Sequence, residues 1–212
     1  LSVDDTFDQA LATVRELTKH HNITLVNSVN PDRIDGQKTA AFEIIDDLGT
    51  TPDYLALPVG NAGNITAYWQ GFKEYLSAGI SKTTPKLMGF QADGAAPIVE
   101  GRVIDSPKTI ASAIRIGNPA SWVKAIEARD ESEGLISSVS DQEIIDAYKL
   151  LASKEGIFAE PASAASLAGV IKISRETHEF EGKTVVCVIT GNGLKDPDIA
   201  SEYSAAQLEE VT

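Results

Sequence analysis

The chain has 212 residues, enough for one good hydrophobic core or for one large and one small lobe. Hydrophobic residues make up 42%, which is the globular range, and a formal charge of -13 (18 basic against 31 acidic residues) repels nucleic acid and anionic membrane. The single cysteine, Cys187, excludes an intrachain disulfide and any multi-cysteine metal site.

The first element is signalled by Thr6 and Gln9 at capping-box spacing, followed by Phe7, Ala10, Leu11, Val14 and Leu17 at helical spacing. A helix is expected to about His20. His20 and His21 are adjacent, so they cannot share a helix face as metal ligands would, and no metal site is expected. ITLVNS, from Ile23 to Ser28, reads as a strand, and NPDRIDGQ reads as a loop. From Lys38 to Leu48, the residues Ala41, Ile44, Ile45 and Leu48 fall on one helical face.

YLALPV, Tyr54 to Val59, is nearly continuous in apolar residues, as a strand covered on both faces is. After a glycine-rich turn, Ile65, Tyr68, Trp69, Phe72 and Leu76 keep helical spacing and read as core. LMGFQA, from Leu87, is another strand. Pro85 to Pro119 is the least periodic region and is expected to contain long surface loops. Ser140 and Glu143 form a second capping-box pair, opening a helix through Leu151 that ends near Gly156. IFAE reads as a short strand, and Pro161 opens a helix to about Ile173. TVVCVIT, Thr184 to Thr190, is the most apolar strand; Cys187 inside it reads as a small buried side chain. The tail after Asp196 is loosely helical and acidic. The alternation of strand and helix predicts an α/β fold with a mainly parallel sheet. No stretch is apolar for the length of a membrane span, and no signal-peptide pattern opens the chain, so a soluble, cytoplasmic protein is the simplest reading.

Three segments carry candidate chemistry. In PVGNAGNITAYWQGF, Pro58 to Phe72, an apolar strand meets a glycine turn and a helix start. The first turn of a helix has free N–H groups and a positive dipole end, so Gly60 to Asn64 is a candidate phosphate cradle. The spacing is not that of a dinucleotide fingerprint, and no lysine follows as in a P-loop. A glycine turn is also a common structural connector, and spacing alone does not decide. Thr190, followed by Gly191, Asn192 and Gly193, places a hydroxyl at the carboxyl end of the last strand. NSVNPDR offers amide, hydroxyl and guanidinium donors in Asn27, Ser28 and Arg33, although Arg33 also reads as an ordinary surface charge.

Together PVGNAGNITAYWQGF, NSVNPDRIDGQKTAAFEI and VITGNGLKDP, with IGNPASW (Ile116 to Trp122) and EPASAAS (Glu160 to Ser166), resemble the threonine synthase family across nearly the whole chain. That family is part of the pyridoxal-phosphate enzymes related to the tryptophan synthase β chain. The resemblance implies a three-layer α/β fold with a mainly parallel sheet. It implies pyridoxal phosphate as cofactor and O-phosphohomoserine as the small-molecule substrate, converted with water to threonine and phosphate. It implies that Gly60, Asn61, Ala62, Gly63 and Asn64 hold the cofactor phosphate and that Thr190 meets the pyridine nitrogen. Asn27, Ser28, Arg33 and Asn61 match positions that bind the substrate phosphate. A homodimer in the full-length form is a further implication.

Members of the family hold the cofactor through a Schiff-base lysine well upstream of the glycine loop. Lys19 and Lys38 precede the loop here without the expected neighbours, and both read as surface lysines. The expectation is therefore a C-terminal portion lacking the lysine, incomplete at the N-terminus, with no catalytic residue of its own and inactive alone. Residues 1–28 would be the remainder of the smaller lobe and residues 29–212 the larger, cofactor-binding lobe. Two alternatives stay open: a related threonine dehydratase or cysteine-synthase-like enzyme, and a non-catalytic domain that binds phosphorylated ligands.

Overall fold

The computed structural model describes residues 7–26 and 30–203. Its centre is β1 (Tyr54–Pro58), buried at every position. A strand of this composition has no polar face to give to water, so helices must cover it on both sides. Parallel neighbours flank it: β2 (Lys86–Ala92), then β3 (Leu135–Val139) beyond β2, and β4 (Val185–Cys187) on the other side. The sheet order is β3-β2-β1-β4.

The helices, in chain order, are α1 (Phe7–His20), α2 (Pro31–Gln37), α3 (Thr39–Leu48), α4 (Gly63–Ser77), the single turn α5 (Pro97–Glu100), α6 (Trp122–Glu131), α7 (Asp141–Leu150), α8 (Pro161–Glu176) and α9 (Pro197–Glu202). Side chains alternate across the sheet and divide the core in two. Leu55, Leu57 and Leu87 face Ala41, Ile45, Ile65, Trp69, Phe72, Ala125 and Ala128 of α3, α4 and α6. Ala56, Met88 and Phe90 face Ile144, Tyr148, Ala164, Ala165 and Ala168 of α7 and α8. The result is three layers, helix, sheet and helix. Burying each large apolar side chain contributes about 1.5–3 kcal/mol. Gly169 lets α8 approach closely: a Cβ there would collide with the Phe90 ring.

The Ser140 and Glu143 pair closes its capping box, with each side chain meeting the other's backbone N–H. Trp69 and Phe72 are core residues, as their spacing predicts, whereas Leu76 is exposed. Cys187 packs against the α8 side of the core, and burial pushes its thiol up to about 11.

Several expectations are corrected. NPDRIDGQ is not a loop: Asn30 caps α2 by accepting from Asp32 N–H at 2.8 Å, and Pro31 at the first helical position has no N–H to lose. Ile23–Val26 form no strand, and Asn27 and Ser28 lie outside the described residues. IFAE contributes one bridge, Ala159 to Asn192, and no longer ladder. The aperiodic stretch from Pro85 to Pro119 is surface loop only in part: residues 101–108 are irregular and mostly exposed, and the flanks beyond β2 are not. Ala95, Ala96, Ala111, Ile114 and Ile116 are buried in it, and Ile114 and Ala111 belong to the core. Strand β3 and helix α6 were not signalled by periodicity. β3 carries Ser137 and Ser138 in its middle, which weakens the apolar run that marks an inner strand.

Candidate functional site

From β1 the chain moves to β2 and β3 on one side, and later returns to β4 on the other side of β1. Order reverses between β1 and β4. In an open parallel sheet the crevice beyond the carboxyl ends at such a switch point is where ligands bind. Gly60 follows β1, and Thr190 follows β4, so the two segments singled out from the sequence meet there. A cavity of about 210 Å³ opens between them, lined by Gly60, Asn61, Ala62, Gly63, Asn64 and Thr190, with Arg33, Gln37 and Glu160 on its walls.

The glycine loop is shaped for an anion. The N–H groups of Gly60, Asn61, Ala62, Gly63 and Asn64 have no acceptor among the described residues. They lead into and open the 15-residue helix α4, whose dipole adds positive potential at the same end. The loop is held open by its carbonyls and side chains. Asn64 Nδ2 donates to Pro58 O at 2.7 Å, Thr66 Oγ1 donates to Ala62 O at 2.8 Å, and Asn61 O accepts from Ser121 N–H at 3.1 Å. Asn61 Oδ1 accepts from Ala120 N–H at 3.3 Å, leaving its NH2 group without a partner among the described residues. Ala62 is in the left-handed region at φ 63°, unusual for a residue with a Cβ and costing roughly 1–2 kcal/mol. A side chain at Gly60 would be tight, since a Cβ would stand 3.0 Å from Ala113 O and 3.1 Å from Ile114 Cα, backbone atoms that would have to give way. The strap that carries Ala113 and Ile114 thus backs the loop directly.

Thr190 sits in a network. Its hydroxyl lies 3.0 Å from Glu160 Oε1 and 2.8 Å from Ser163 Oγ. Ser163 Oγ accepts the N–H groups of Thr190 and Gly191, each at 2.9 Å. Glu160 is buried, and Lys195 Nζ stands 2.6 Å from its Oε2. The approach is that of an ion pair; its angle makes no hydrogen bond, and Oε2 has no hydrogen-bond partner. Gly191 passes so close that a Cβ would strike the Glu160 carboxylate.

Arg33 reaches the cavity wall from α2 and forms no ion pair among the described residues. Its helix carries two acids, Asp32 and Asp35; Asp35 is engaged with Gln70 Nε2 at 2.9 Å and with Lys38 Nζ at 3.7 Å. Lys38 also meets Glu74 of α4 at 2.9 Å, and that carboxylate holds its ammonium above the usual lysine range. Lys19 pairs with Glu16 on exposed α1 at 2.8 Å. Neither lysine lines the cavity.

Of the residues that sequence reasoning nominated, the cavity brings together Arg33, Gly60, Asn61, Ala62, Gly63, Asn64 and Thr190; Asn27 and Ser28 lie outside the described residues. Glu160, Ser163 and Gln37 were not given roles. Glu160 stands immediately before the helix-opening Pro161, which masks it as a cap residue. Only the three-dimensional approach of Gly191 and Lys195 reveals it as a buried carboxylate.

A family model described as pyridoxal-phosphate dependent enzyme matches residues 1–191. The chain is 56% identical to the threonine synthase of Synechocystis sp. over 99% of its own length and 54% of that protein. It is 59% identical to the threonine synthase of Bacillus sp. (strain ULM1), covering all of this chain and 60% of that one. The match to the threonine synthase of Methanocaldococcus jannaschii is 52%, over 96% and 53% of the two chains. The chain therefore spans little more than half the length of these relatives. Among solved structures, the processed form of threonine deaminase isoform 2 from Solanum lycopersicum has the same fold, with a TM-score of 0.75 at 20% identity over 96% of this chain and 56% of that one. Maize serine racemase gives 0.74 at 19% identity over 94% and 60%. These likenesses, and the family model that runs through both the glycine loop and Thr190, place the chain: it belongs to the family of pyridoxal-phosphate dependent enzymes.

Proposed function

We propose that the chain forms the phosphate-holding part of a threonine synthase, which converts O-phosphohomoserine and water to threonine and inorganic phosphate. The observation that carries this reading is the pairing of a backbone anion cradle with an arginine that makes no ion pair among the described residues, across one cavity. Its chemical identity comes from relatives at 52–60% identity that bear the name threonine synthase.

The residues fit pyridoxal phosphate. The free N–H groups of Gly60 to Asn64, at the positive end of α4, suit its phosphate. Thr190, across the crevice, suits the ring nitrogen. When bound, pyridoxal phosphate supplies an electron sink for charge that develops on the substrate's carbon skeleton. The remaining work is done by this chain's own groups. Arg33 holds the substrate phosphate with a planar fork of donors and offsets its charge as the C–O bond breaks. The unpartnered NH2 group of Asn61 donates to the same phosphate, with Asn27 and Ser28 as further donors. The phosphate departs from the γ carbon as inorganic phosphate; overall the γ carbon gains a hydrogen, the β carbon loses one, and the hydroxyl of water is added at the β carbon.

In the same reading, residues 29–212 belong to the cofactor-binding lobe and residues 1–28 to the end of the smaller lobe. The protein works as a cytoplasmic homodimer. No described helix is long and apolar enough to cross a membrane.

The test is product analysis with the natural-length protein loaded with pyridoxal phosphate and given O-phosphohomoserine. Equal amounts of threonine and phosphate are expected. Arg33→Ala should lower kcat/KM by about 100-fold, the scale for removing a donor from developing charge. A 2-oxo acid and ammonia in place of threonine would overturn the assignment.

A further inference from the structure

Arg33, on the cavity wall, has no acidic partner among the described residues. A guanidinium on an exposed helix samples many rotamers, and ordering it on binding costs affinity. Something must orient it if it is to act as a fork. The candidate is Gln37, one helical turn further along α2, half-buried and on the same cavity wall. With its carboxamide oxygen turned toward Arg33, Gln37 accepts from Nε at 3.3 Å and from Nη2 at 3.1 Å. The opposite amide orientation would set donor against donor.

We propose that Gln37 is a positioning residue that holds the Arg33 guanidinium toward the cavity for the phosphate of the substrate. The proposal rests on the reading of Arg33 as a phosphate ligand. The amide does what a carboxylate could not. A glutamate at this position would orient the fork equally well, yet would neutralise it and repel the incoming dianion. A neutral acceptor fixes geometry and leaves the positive charge for the ligand. The local charges are arranged to the same end. Of the two acids on the helix, Asp35 is drawn away by Lys38 and Gln70, and Asp32 in the first turn makes no ion pair with Arg33. Two contacts of Arg33 are taken up by Gln37, on the Nε and Nη2 edge, so Nη1 and the free hydrogen of Nη2 stay available. The platform beneath is firm. Asn30 caps α2 and donates to Leu25 O at 2.7 Å, and Lys38 at the other end is tied to Glu74 at 2.9 Å.

The experiment is a double-mutant cycle on the natural-length protein loaded with pyridoxal phosphate, with inorganic phosphate as the probe and calorimetry as the readout. Gln37→Ala should weaken phosphate about two- to tenfold, the range for ordering one long side chain. Gln37→Glu should weaken it more. In an Arg33→Ala background, Gln37→Ala should add nothing. Pyridoxal phosphate affinity should be unchanged by Gln37→Ala. Additive effects of the two alanine variants would overturn the proposal, as would an equal loss of cofactor affinity. If Arg33→Ala itself leaves phosphate binding untouched, the reading of Arg33 fails first, and that result is distinct from additivity.

Discussion

Lys195 holds its ammonium nitrogen 2.6 Å from Oε2 of Glu160, a carboxylate only 2% exposed. The lysine itself is 58% exposed, so water shares in the pairing. Removing the lysine leaves a carboxylate that burial alone disfavours. Lys195→Met should destabilise the fold by about 1–3 kcal/mol, and adding Glu160→Gln should recover part of that loss. Urea unfolding of the single and double variants measures both. Equal stabilities of the wild type and Lys195→Met would show that the pair contributes nothing.

Gly60→Ala tests the cradle. Its new methyl group would press on Ala113 O and Ile114 Cα, both backbone atoms that cannot rotate away. The loop must shift, and its N–H groups lose their common focus. Pyridoxal phosphate affinity should fall about tenfold or more, read by absorbance titration, while the melting temperature falls by only a few degrees.

At Gly169 helix propensity and packing oppose each other. Alanine is favoured over glycine in a helix interior by about 1 kcal/mol. Here its Cβ would collide with the Phe90 ring in the centre of the core. Overpacking of this kind costs about 1–3 kcal/mol, and more where a ring cannot turn. Gly169→Ala should therefore lower stability in denaturant titration. A more stable variant would mean that Phe90 has room to move.

Alkaline pH should loosen the fold through two groups. The hydrogen bond from Tyr54 to Glu179, 2.6 Å long, pushes the Tyr54 phenol up to about 12 from 10.0, and burial pushes Cys187 up to about 11 from 9.0. Both folded values lie above the unfolded ones. Their stabilising effect is thus complete below about pH 9 and is lost as pH rises toward 12. Stability measured from pH 8 to 12 should fall, and Tyr54→Phe should flatten the upper part of the curve. The same shift predicts slow alkylation of Cys187 at pH 8, because the thiolate is the reactive form.

Much of this architecture was legible in the sequence. The inner strand Tyr54 to Pro58 has no polar residue, and helix α4 carries its apolar stripe plainly. The glycine loop and Thr190 could be paired because both end apolar strands. Other features depend on contacts that spacing does not encode. Helix α2 looks like a loop in the sequence because Asp, Gly and Asn are turn formers; its cap, Asn30, and its anchor, Lys38 to Glu74, override that preference. Strand β3 was missed since its two serines interrupt the run of apolar residues. The buried strap around Ile114 lacks period because it packs as an irregular segment. Glu160 and Gln37 are ordinary polar letters until their neighbours are known.

The tie between α2 and α4 has a consequence for ligand size. Lys38 reaches Glu74, Gln70 reaches Asp35, and Gly71 lets the backbone at Lys38 lie against α4 with no side chain between. Arg33 stands on one helix of this pair, and the glycine loop opens the other. Their separation is therefore a property of two bolted helices, indifferent to movements of the sheet or of whatever lies across the crevice. In the proposed function the pair would act as a caliper with a fixed opening, gauging the span between the cofactor phosphate and the substrate phosphate before any bond is made or broken.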